Sequence, residues 1–355
     1  MQRRENLMTR KRNALIIHGG GLVDPSKFVL MELANQLSRR NLYDKIYIGR
    51  YSFESLYTPE FLLEYNSRLI EMLKTKRGSY FGTCRDIELT DPILADKAIK
   101  CLKGKDISTI IVGGGDGSSR QVAEIYETFE KNGINIIFAI PLTIDGINGG
   151  DYVGHRQAVR ESVRQIENIA STSLETRNGG KFGAVLAELQ GRNRDDIIAS
   201  VVKHFHMRRK VADIPFEQLL FKAVPATIDS NKEDLIEEIS KSPERTLVLI
   251  SEGSKISMSD LINEIKGRKV RTLKVGHQSQ SNGLTTEEDE HEYSIWIEKI
   301  VDLIAEYPFE TFTIVRQGVI YNKALINYYA QLNPREGQKA DLPKESREII
   351  ERYVS

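Results

Sequence analysis

Cysteine and long apolar runs are both scarce in this sequence of 355 residues. Its two cysteines, Cys84 and Cys101, are too few for the disulfide framework of a small secreted protein. No apolar run approaches the roughly 20 residues that a membrane-spanning helix requires. The basic start of the chain is followed by no long apolar segment, so we expect a short solvated lead-in and not a signal peptide. These absences favour a soluble, cytoplasmic protein without a membrane partner.

An excess of charge is lacking as well. Lys plus Arg and Asp plus Glu each total 50, so the formal net charge is zero. Nucleic-acid-binding surfaces carry an excess of positive charge, and nucleic acid is therefore not an expected partner. The chain contains no low-complexity segment and no short internal repeat, and its length suits two domains of ordinary size.

Apolar runs suited to strands alternate with segments suited to helices along most of the chain. This alternation is typical of an α/β protein whose parallel sheet is covered on both faces. The predicted strands cover 14–17, 45–48, 109–112, 135–140, 184–189, 246–250 and 311–315. The predicted helices cover 27–40, 57–73, 91–102, 120–132, 155–170, 195–206, 228–240, 259–266 and 293–307.

The segment 106–120, DISTIIVGGGDGSSR, carries the strongest functional signal. A predicted strand ends at three glycines, and Asp116, Gly117 and two serines precede the next predicted helix. Such a turn lets backbone N–H groups approach an anion, and a carboxylate fits there if a divalent cation lies between it and the anion. The spacing matches neither the Walker pattern nor GxGxxG. The glycine loop with its aspartate predicts a nucleotide bound with magnesium, while a plain tight turn remains the alternative.

Two more turns follow predicted strands at the same edge of the sheet, HGGG at 18–21 and the segment after Ile140. Ligands bind at the carboxyl ends of parallel strands. There, Asp145 would accept the proton of a substrate hydroxyl that attacks phosphorus. The alternative is that Asp145 caps the following helix, although Asp151 is better placed for that.

Phosphoryl transfer also needs positive charge near the developing anion. Arg85 and Arg192 lie in predicted turns after apolar segments. Each alone is compatible with an ordinary surface arginine, so they count only in combination with the two carboxylates.

Seven segments resemble, in order and spacing, those of the phosphofructokinase family. They are HGGG at 18–21, RGSYFGTCR at 77–85, GGDGS at 114–118, PLTID at 141–145, ELQGR at 188–192, ISEG at 250–253 and RTLKVGH at 271–277. The resemblance extends from about Arg12 to about Asp289, and the pair GGDGS and PLTID is its most specific part. NAD kinases and diacylglycerol kinases share the glycine–aspartate loop but lack the last two segments.

The resemblance implies roles for individual residues. The phosphates of the nucleotide would be held by Gly20, Arg85, Gly115, Gly117 and Ser118, and magnesium by Asp116. Asp145 would be the general base, with Thr143 beside the transferred group and Arg192 neutralising it. The acceptor would be bound by Gln190, Glu252, Arg271 and His277.

Two positions bear on the phosphoryl donor. Family members that use pyrophosphate tend to carry a second aspartate after the loop aspartate and a lysine before the threonine of TID. Gly117 and Leu142 occupy these positions here, so the resemblance implies that ATP is the donor.

The acceptor half departs further from the family. Gln280 replaces an arginine, and the arginine that a neighbouring subunit lends to the sugar phosphate in the family aligns near Gly183, with Lys181 and Arg177 close by. Each charge-assisted hydrogen bond to phosphate contributes roughly 1.5–3 kcal/mol. Losing two would weaken a fructose 6-phosphate site by roughly two to four orders of magnitude. We therefore expect a different acceptor, such as an unphosphorylated polyol, sugar or nucleoside.

The resemblance implies two three-layer α/β/α domains with the active site in the cleft between them. The first would hold residues 1–155 plus about 277–320 and the second 156–276 plus about 321–333, with 334–355 as a C-terminal tail. The expected activity is ATP- and Mg²⁺-dependent phosphorylation of a small hydroxyl acceptor in carbohydrate metabolism, by a homodimer or homotetramer. The alternatives are 6-phosphofructokinase activity and a non-catalytic nucleotide or metabolite sensor, the latter because Gly21 and Ile147 replace two acids near the expected metal.

Overall fold

A computed structural model describes most of the chain. The described residues are 12–19, 24–66, 68–69, 81–84, 89–142, 153–191, 195–276, 279–280, 282–283, 285–307, 312–314, 320–321 and 344–354. The strands are β1 (Asn13–His18), β2 (Ile46–Gly49), β3 (Leu62–Glu64), β4 (Ile107–Gly114), β5 (Asn135–Pro141), β6 (Arg177–Asn178), β7 (Lys181–Phe182), β8 (Ala184–Leu189), β9 (Lys210–Val211), β10 (Ile214–Pro215), β11 (Leu219–Val224), β12 (Arg245–Ser251), β13 (Val270–Val275), β14 (Phe312–Ile314) and β15 (Ile320–Tyr321). The helices are α1 (Pro25–Arg39), α2 (Pro92–Gly104), α3 (Asp116–Lys131), α4 (His155–Ser173), α5 (Asp196–Arg208), α6 (Lys232–Lys241), α7 (Met258–Glu264), α8 (Glu287–Glu306) and α9 (Lys344–Glu351).

The chain divides into two compact units, each built on its own sheet. Unit 1 comprises Met1–Thr143 and Leu284–Asn333, and unit 2 comprises Ile144–Gly283 and Pro334–Ser355. The predicted α/β fold class is confirmed. The predicted domain limits and the position of the active site between domains stay predictions. No helix in the described part of the chain is long and apolar enough to cross a membrane.

Unit 1 contains a sheet of order β15-β14-β5-β4-β1-β2-β3. Its inner strands are parallel, and antiparallel partners close both edges. Ile110 and Val112 of β4 pack in one buried cluster with side chains of α2 and α3. Ile111, which alternates with them, is buried on the opposite face. A sheet buried on both faces explains why its strands are continuous apolar runs.

Unit 2 contains a four-stranded parallel sheet of order β11-β12-β8-β13. The end of the chain covers its β11 edge, because the Ala223 N–H donates to the Tyr353 carbonyl at 2.8 Å. The Tyr353 hydroxyl lies 2.5 Å from His206 Nδ1 on α5, and Ile350 of α9 is fully buried. The polar composition of the last residues gave no sign of this contact.

One predicted helix is wrong over most of its described residues. Between Tyr57 and Glu64 the chain forms a 3₁₀ turn at Pro59–Phe61 and then β3, which pairs antiparallel with β2. The proline begins only this single turn, and the following residues pair with the free edge of β2 instead of continuing as a helix. Strands β11 and β13 were not predicted. β13 lies at a sheet edge and carries exposed polar side chains, whereas β11 is apolar except for Lys222 and was missed although its sequence suits a strand.

Candidate active site

The turn from β4 to α3 is the predicted glycine loop. Strand β4 is buried throughout and ends at Gly114, and α3 begins at Asp116, so only Gly115 separates strand from helix. The Ser119 N–H donates to the Gly115 carbonyl at 3.1 Å and begins the helical hydrogen-bond pattern. The N–H groups before it have no acceptor inside the helix, and the positive end of the helix dipole lies there. This is the geometry of an anion-binding helix start.

Two glycines at this turn are required by packing. A Cβ atom on Gly114 would lie 2.4 Å from Ser118 Oγ and 2.7 Å from the Gly19 carbonyl oxygen. A Cβ atom on Gly19 would lie 2.2 Å from the same hydroxyl oxygen. Ser118 is only 3% exposed. Its hydroxyl therefore packs between the ends of β1 and β4, so its predicted role in phosphate binding would fall to its main-chain N–H.

Gly117, in contrast, faces open space. Within the described part of the chain, no heavy atom lies within 4 Å of the position that its Cβ would take. A side chain would fit there, so packing does not explain the glycine.

The end of β5 is joined to the same turn. The Leu142 N–H donates to the Gly114 carbonyl at 3.0 Å, and Leu142 is 1% exposed. This bond fixes the chain immediately before Thr143 and Asp145, both of which lie outside the described residues.

His18 lies at the carboxyl end of β1, opposite Gly113 of β4. It is 1% exposed, and its ring contacts the Phe81 ring edge-on, with the centroids 6.3 Å apart. Burial lowers the pKa of His18 to about 4, because the charged form would lose its hydration. The imidazole is therefore neutral at neutral pH and adds no positive charge to the turn.

We expect His18 to make the free energy of unfolding depend on pH. The unfolded chain binds a proton near the ordinary histidine pKa of 6.5, whereas the folded chain binds it only near pH 4. The contribution of His18 to the free energy of unfolding is thus fully present above about pH 6.5, and about 3 kcal/mol of it is lost as the pH drops to about 4. Urea unfolding at several pH values measures this loss. The His18→Gln variant should lack this part of the loss, and equal pH slopes in the two proteins would contradict the assignment.

In unit 2, Gln190 and Glu252 meet where two neighbouring strands end. Leu189 of β8 pairs with Ser251 of β12, so the next residue of each strand lies at the same edge. Gln190 Nε2 donates to Glu252 Oε1 at 3.2 Å, and the Gly191 N–H donates to Glu252 Oε2 at 3.1 Å. The carboxylate is therefore held through both of its oxygens.

Arg271 is not brought to this pair. It pairs with Val185 near the beginning of β13, while Val275 at the end of that strand pairs with Leu189. Four residues of strand correspond to about 13 Å. Its predicted role in binding the acceptor stays a prediction.

Six predicted site residues lie outside the described residues: Gly20, Arg85, Thr143, Asp145, Arg192 and His277. Gly115, Gly117 and Ser118 lie at the β4–α3 turn together with Asp116, the first residue of α3. Their predicted roles remain predictions.

Asp195 is a buried carboxylate that the sequence did not single out. It is 0% exposed and accepts hydrogen bonds from the Ala226 and Thr227 N–H groups, each at 2.8 Å, and from the Thr227 hydroxyl. It therefore anchors the loop after β11 to the start of α5. In the sequence, Asp195 is only the first residue of a predicted helix, where an acidic side chain is common.

A parallel α/β fold with a glycine turn opening a helix defines a class of phosphate-binding proteins. Within that class, the family model for phosphofructokinase matches residues 13–295. The chain belongs to the phosphofructokinase family.

Similar proteins include ATP-dependent 6-phosphofructokinases of two bacteria. The one from Actinobacillus pleuropneumoniae (serotype 5b, strain L20) is 28% identical over 158 residues, which are 44% of this chain and 46% of the relative. The one from Haemophilus influenzae (strain 86-028NP) is 24% identical over 255 residues, 71% of this chain and 69% of the relative. The match thus spans about half the length of the first relative.

Solved structures show the same fold at low identity. Phosphofructokinase from Saccharomyces cerevisiae has a TM-score of 0.74 and 14% identity, covering 97% of this chain and 50% of that one. Pyrophosphate-dependent phosphofructokinase from Nitrosospira multiformis has a TM-score of 0.66 and 17% identity, covering 98% and 92%.

Proposed function

We propose that this chain is an ATP- and Mg²⁺-dependent phosphotransferase that phosphorylates a hydroxyl group of a small sugar-like or polyol acceptor. The observation that carries the proposal is the β4–α3 turn. Gly19 and Gly114 are packed against Ser118, α3 presents its N-terminus, and the Leu142 hydrogen bond ties the segment leading to Asp145 to the same turn. A phosphate-binding turn joined to a candidate base is the arrangement that phosphoryl transfer needs.

ATP is the donor that the turn favours. The open space at Gly117 leaves room for a nucleotide phosphate without a competing carboxylate. Leu142 is apolar and buried, and it supplies no charge to compensate pyrophosphate. The described residues include no group of three His, Cys, Asp or Glu side chains arranged for a metal ion. Asp116 and the donor's phosphate oxygens would hold magnesium, a donor set that suits this ion, and the ion would offset phosphate charge when bound.

The transfer step is assigned to residues at the ends of the strands. Asp145 would take the proton of the acceptor hydroxyl as its oxygen attacks the terminal phosphorus. Arg85 and Arg192 would offset the charge that develops, with Thr143 beside the transferred group. These four assignments rest on the family resemblance.

The acceptor is assigned to the Gln190–Glu252 pair. The carboxylate of Glu252 can accept hydrogen bonds from hydroxyl groups, and Gln280 is neutral where the family pattern has an arginine. An unphosphorylated acceptor fits this exchange of a cation for an amide.

Ordinary 6-phosphofructokinase activity is the second candidate, favoured by the names of the relatives. It would need Lys181, Arg177 and Arg271 to take over binding of the sugar phosphate. Two of these cations are already engaged in unit 2. Lys181 Nζ donates to the Ser240 carbonyl at 2.5 Å, and the Arg177 guanidinium lies 4.9 Å from the centre of the Phe182 ring.

An ADP-release screen with ATP and Mg²⁺ tests both candidates. We expect turnover with at least one unphosphorylated sugar, polyol or nucleoside and at most weak turnover of fructose 6-phosphate. Fructose 6-phosphate turnover at kcat/KM of about 10⁴ M⁻¹s⁻¹ or more, an ordinary enzyme efficiency, would overturn the changed acceptor. Turnover with pyrophosphate but not with ATP would overturn the proposal that ATP is the donor.

A further inference from the structure

Gln280 is fully buried in unit 2, in the segment that follows β13. Its N–H donates to the Gly276 carbonyl at 3.1 Å, and its carbonyl accepts from the Gly283 N–H at 3.3 Å. Gly283 in turn lies against α4, since a Cβ there would be 2.2 Å from the Gln157 carbonyl oxygen. The main chain on both sides of Gln280 is therefore held in place.

The orientation of the Gln280 amide follows from its neighbours. Nε2 lies 3.0 Å from the Gln190 carbonyl oxygen and 3.4 Å from Ser162 Oγ. The carbonyl can only accept, and the Ser162 hydroxyl donates to the Ala158 carbonyl at 2.8 Å, so both oxygens accept from the NH₂ group. Both amide hydrogens are thus used, and this excludes the flipped amide.

The Gln190–Gly191 peptide group joins Gln280 to Glu252. Its carbonyl oxygen accepts from Gln280, and its N–H donates to Glu252 Oε2 at 3.1 Å. A peptide group is planar, so holding its carbonyl also sets the direction of its N–H. The Gln190 side chain completes the contact by donating to Glu252 Oε1 at 3.2 Å.

We propose that Gln280 is a positioning residue of the acceptor site, which sets the direction of the Glu252 carboxylate through the Gln190–Gly191 peptide group. The inference rests on the proposed function in taking Glu252 as an acceptor-binding residue. Without the Gln280 amide, that peptide group can rotate, and both hydrogen bonds to the carboxylate loosen. Acceptor binding then weakens, while the turn in unit 1 that binds the donor is unchanged.

The first test uses the full-length protein without substrate. Hydrogen exchange at the Gly191 amide is compared between wild type and Gln280→Leu, with the Ile250 amide of β12 as the internal reference. We expect exchange at least tenfold faster at Gly191 and unchanged at Ile250. The matched control Ser162→Ala, which removes the other acceptor of the same amide, should leave Gly191 within threefold of wild type. Unchanged exchange at Gly191, or equal acceleration at both amides, would overturn the proposal.

The second test uses steady-state kinetics with ATP, Mg²⁺ and, as probes, D-fructose and D-fructose 6-phosphate. Gln280→Leu should raise the KM of whichever probe wild type turns over by tenfold or more and leave the KM for ATP within twofold. In Gln280→Glu, a protonated carboxyl can donate to the Gln190 carbonyl but an ionised one cannot, so its acceptor KM should rise from pH 5 to pH 8 more than that of wild type. If Gln280→Leu does not fold, Gln280→Glu takes its place in both tests, with the same expectations at pH 8. Equal changes in both KM values, or matching pH profiles, would contradict the role.

The two tests separate this inference from the proposed function. Wild type without turnover on any acceptor in the screen would end the proposed function, while hydrogen exchange at Gly191 would still decide whether Gln280 positions the peptide group.

Discussion

Replacing Asp145 by asparagine is expected to reduce turnover by about three orders of magnitude, within the range of roughly 10²–10⁴ that a general base contributes. Asparagine has nearly the same shape but cannot accept the proton of the acceptor hydroxyl. The measurement is kcat for ADP release with the best acceptor of the screen, together with calorimetric titration of ATP and Mg²⁺. We expect ATP affinity to stay within a few-fold of wild type, because the substitution does not alter the β4–α3 turn, where we propose that the donor binds.

The same substitution distinguishes catalysis from helix capping. Asparagine caps helices about as well as aspartate. If Asp145 only caps the helix that follows, Asp145→Asn would keep both stability and turnover. Wild-type turnover in this variant would therefore rule out Asp145 as the general base, and the kinase proposal would fail with it. Asp151→Asn serves as the matched control and should retain activity, since no role in the transfer step is predicted for Asp151.

The buried parts of the fold were the parts that the sequence predicted well. β1, β4 and β12 lie inside their sheets and are covered on both faces, so they appear in the sequence as apolar runs between turns. The edge strand β13 lacks this signature. β13 exposes Arg271, Thr272 and Lys274 and reads as a polar segment, although it is fully paired with β8.

The candidate site also has a part that the sequence predicted and a part that it did not. The turn at 113–118 is local, and its glycines, its acid and the helix after it are visible in consecutive residues. The contacts in unit 2 join residues far apart in the chain: the amide of Gln280 reaches the Gln190 carbonyl 90 positions away, and Asp195 reaches Thr227 32 positions away. A single sequence contains no periodicity that reports such pairs. The residue types alone gave no reason to connect them.

Gly117 offers the sharpest test of the donor. We expect Gly117→Asp to lower kcat/KM for ATP by about a hundredfold, because a carboxylate about 5 Å from a phosphate costs about 3 kcal/mol at an effective dielectric constant of about 20. The fold should tolerate the change. The space at this position is open, and an acid in the first turn of a helix is favourable. Kinetics with ATP, and separately with pyrophosphate, measure the effect.

The matched control is Gly117→Asn, which has the same size without the charge and should lose less than about tenfold, since only the uncharged part of the perturbation remains. Equal losses in the two variants would indicate crowding and not charge, and unchanged ATP kinetics in Gly117→Asp would place the donor phosphates away from the start of α3. The aspartate variant should not gain pyrophosphate turnover. Leu142 remains apolar and 1% exposed beside the turn, so the positive charge that pyrophosphate would need is still missing there. A negative charge at position 117 is therefore expected to exclude ATP without admitting pyrophosphate. Positions 117 and 142 would then determine the choice of donor separately.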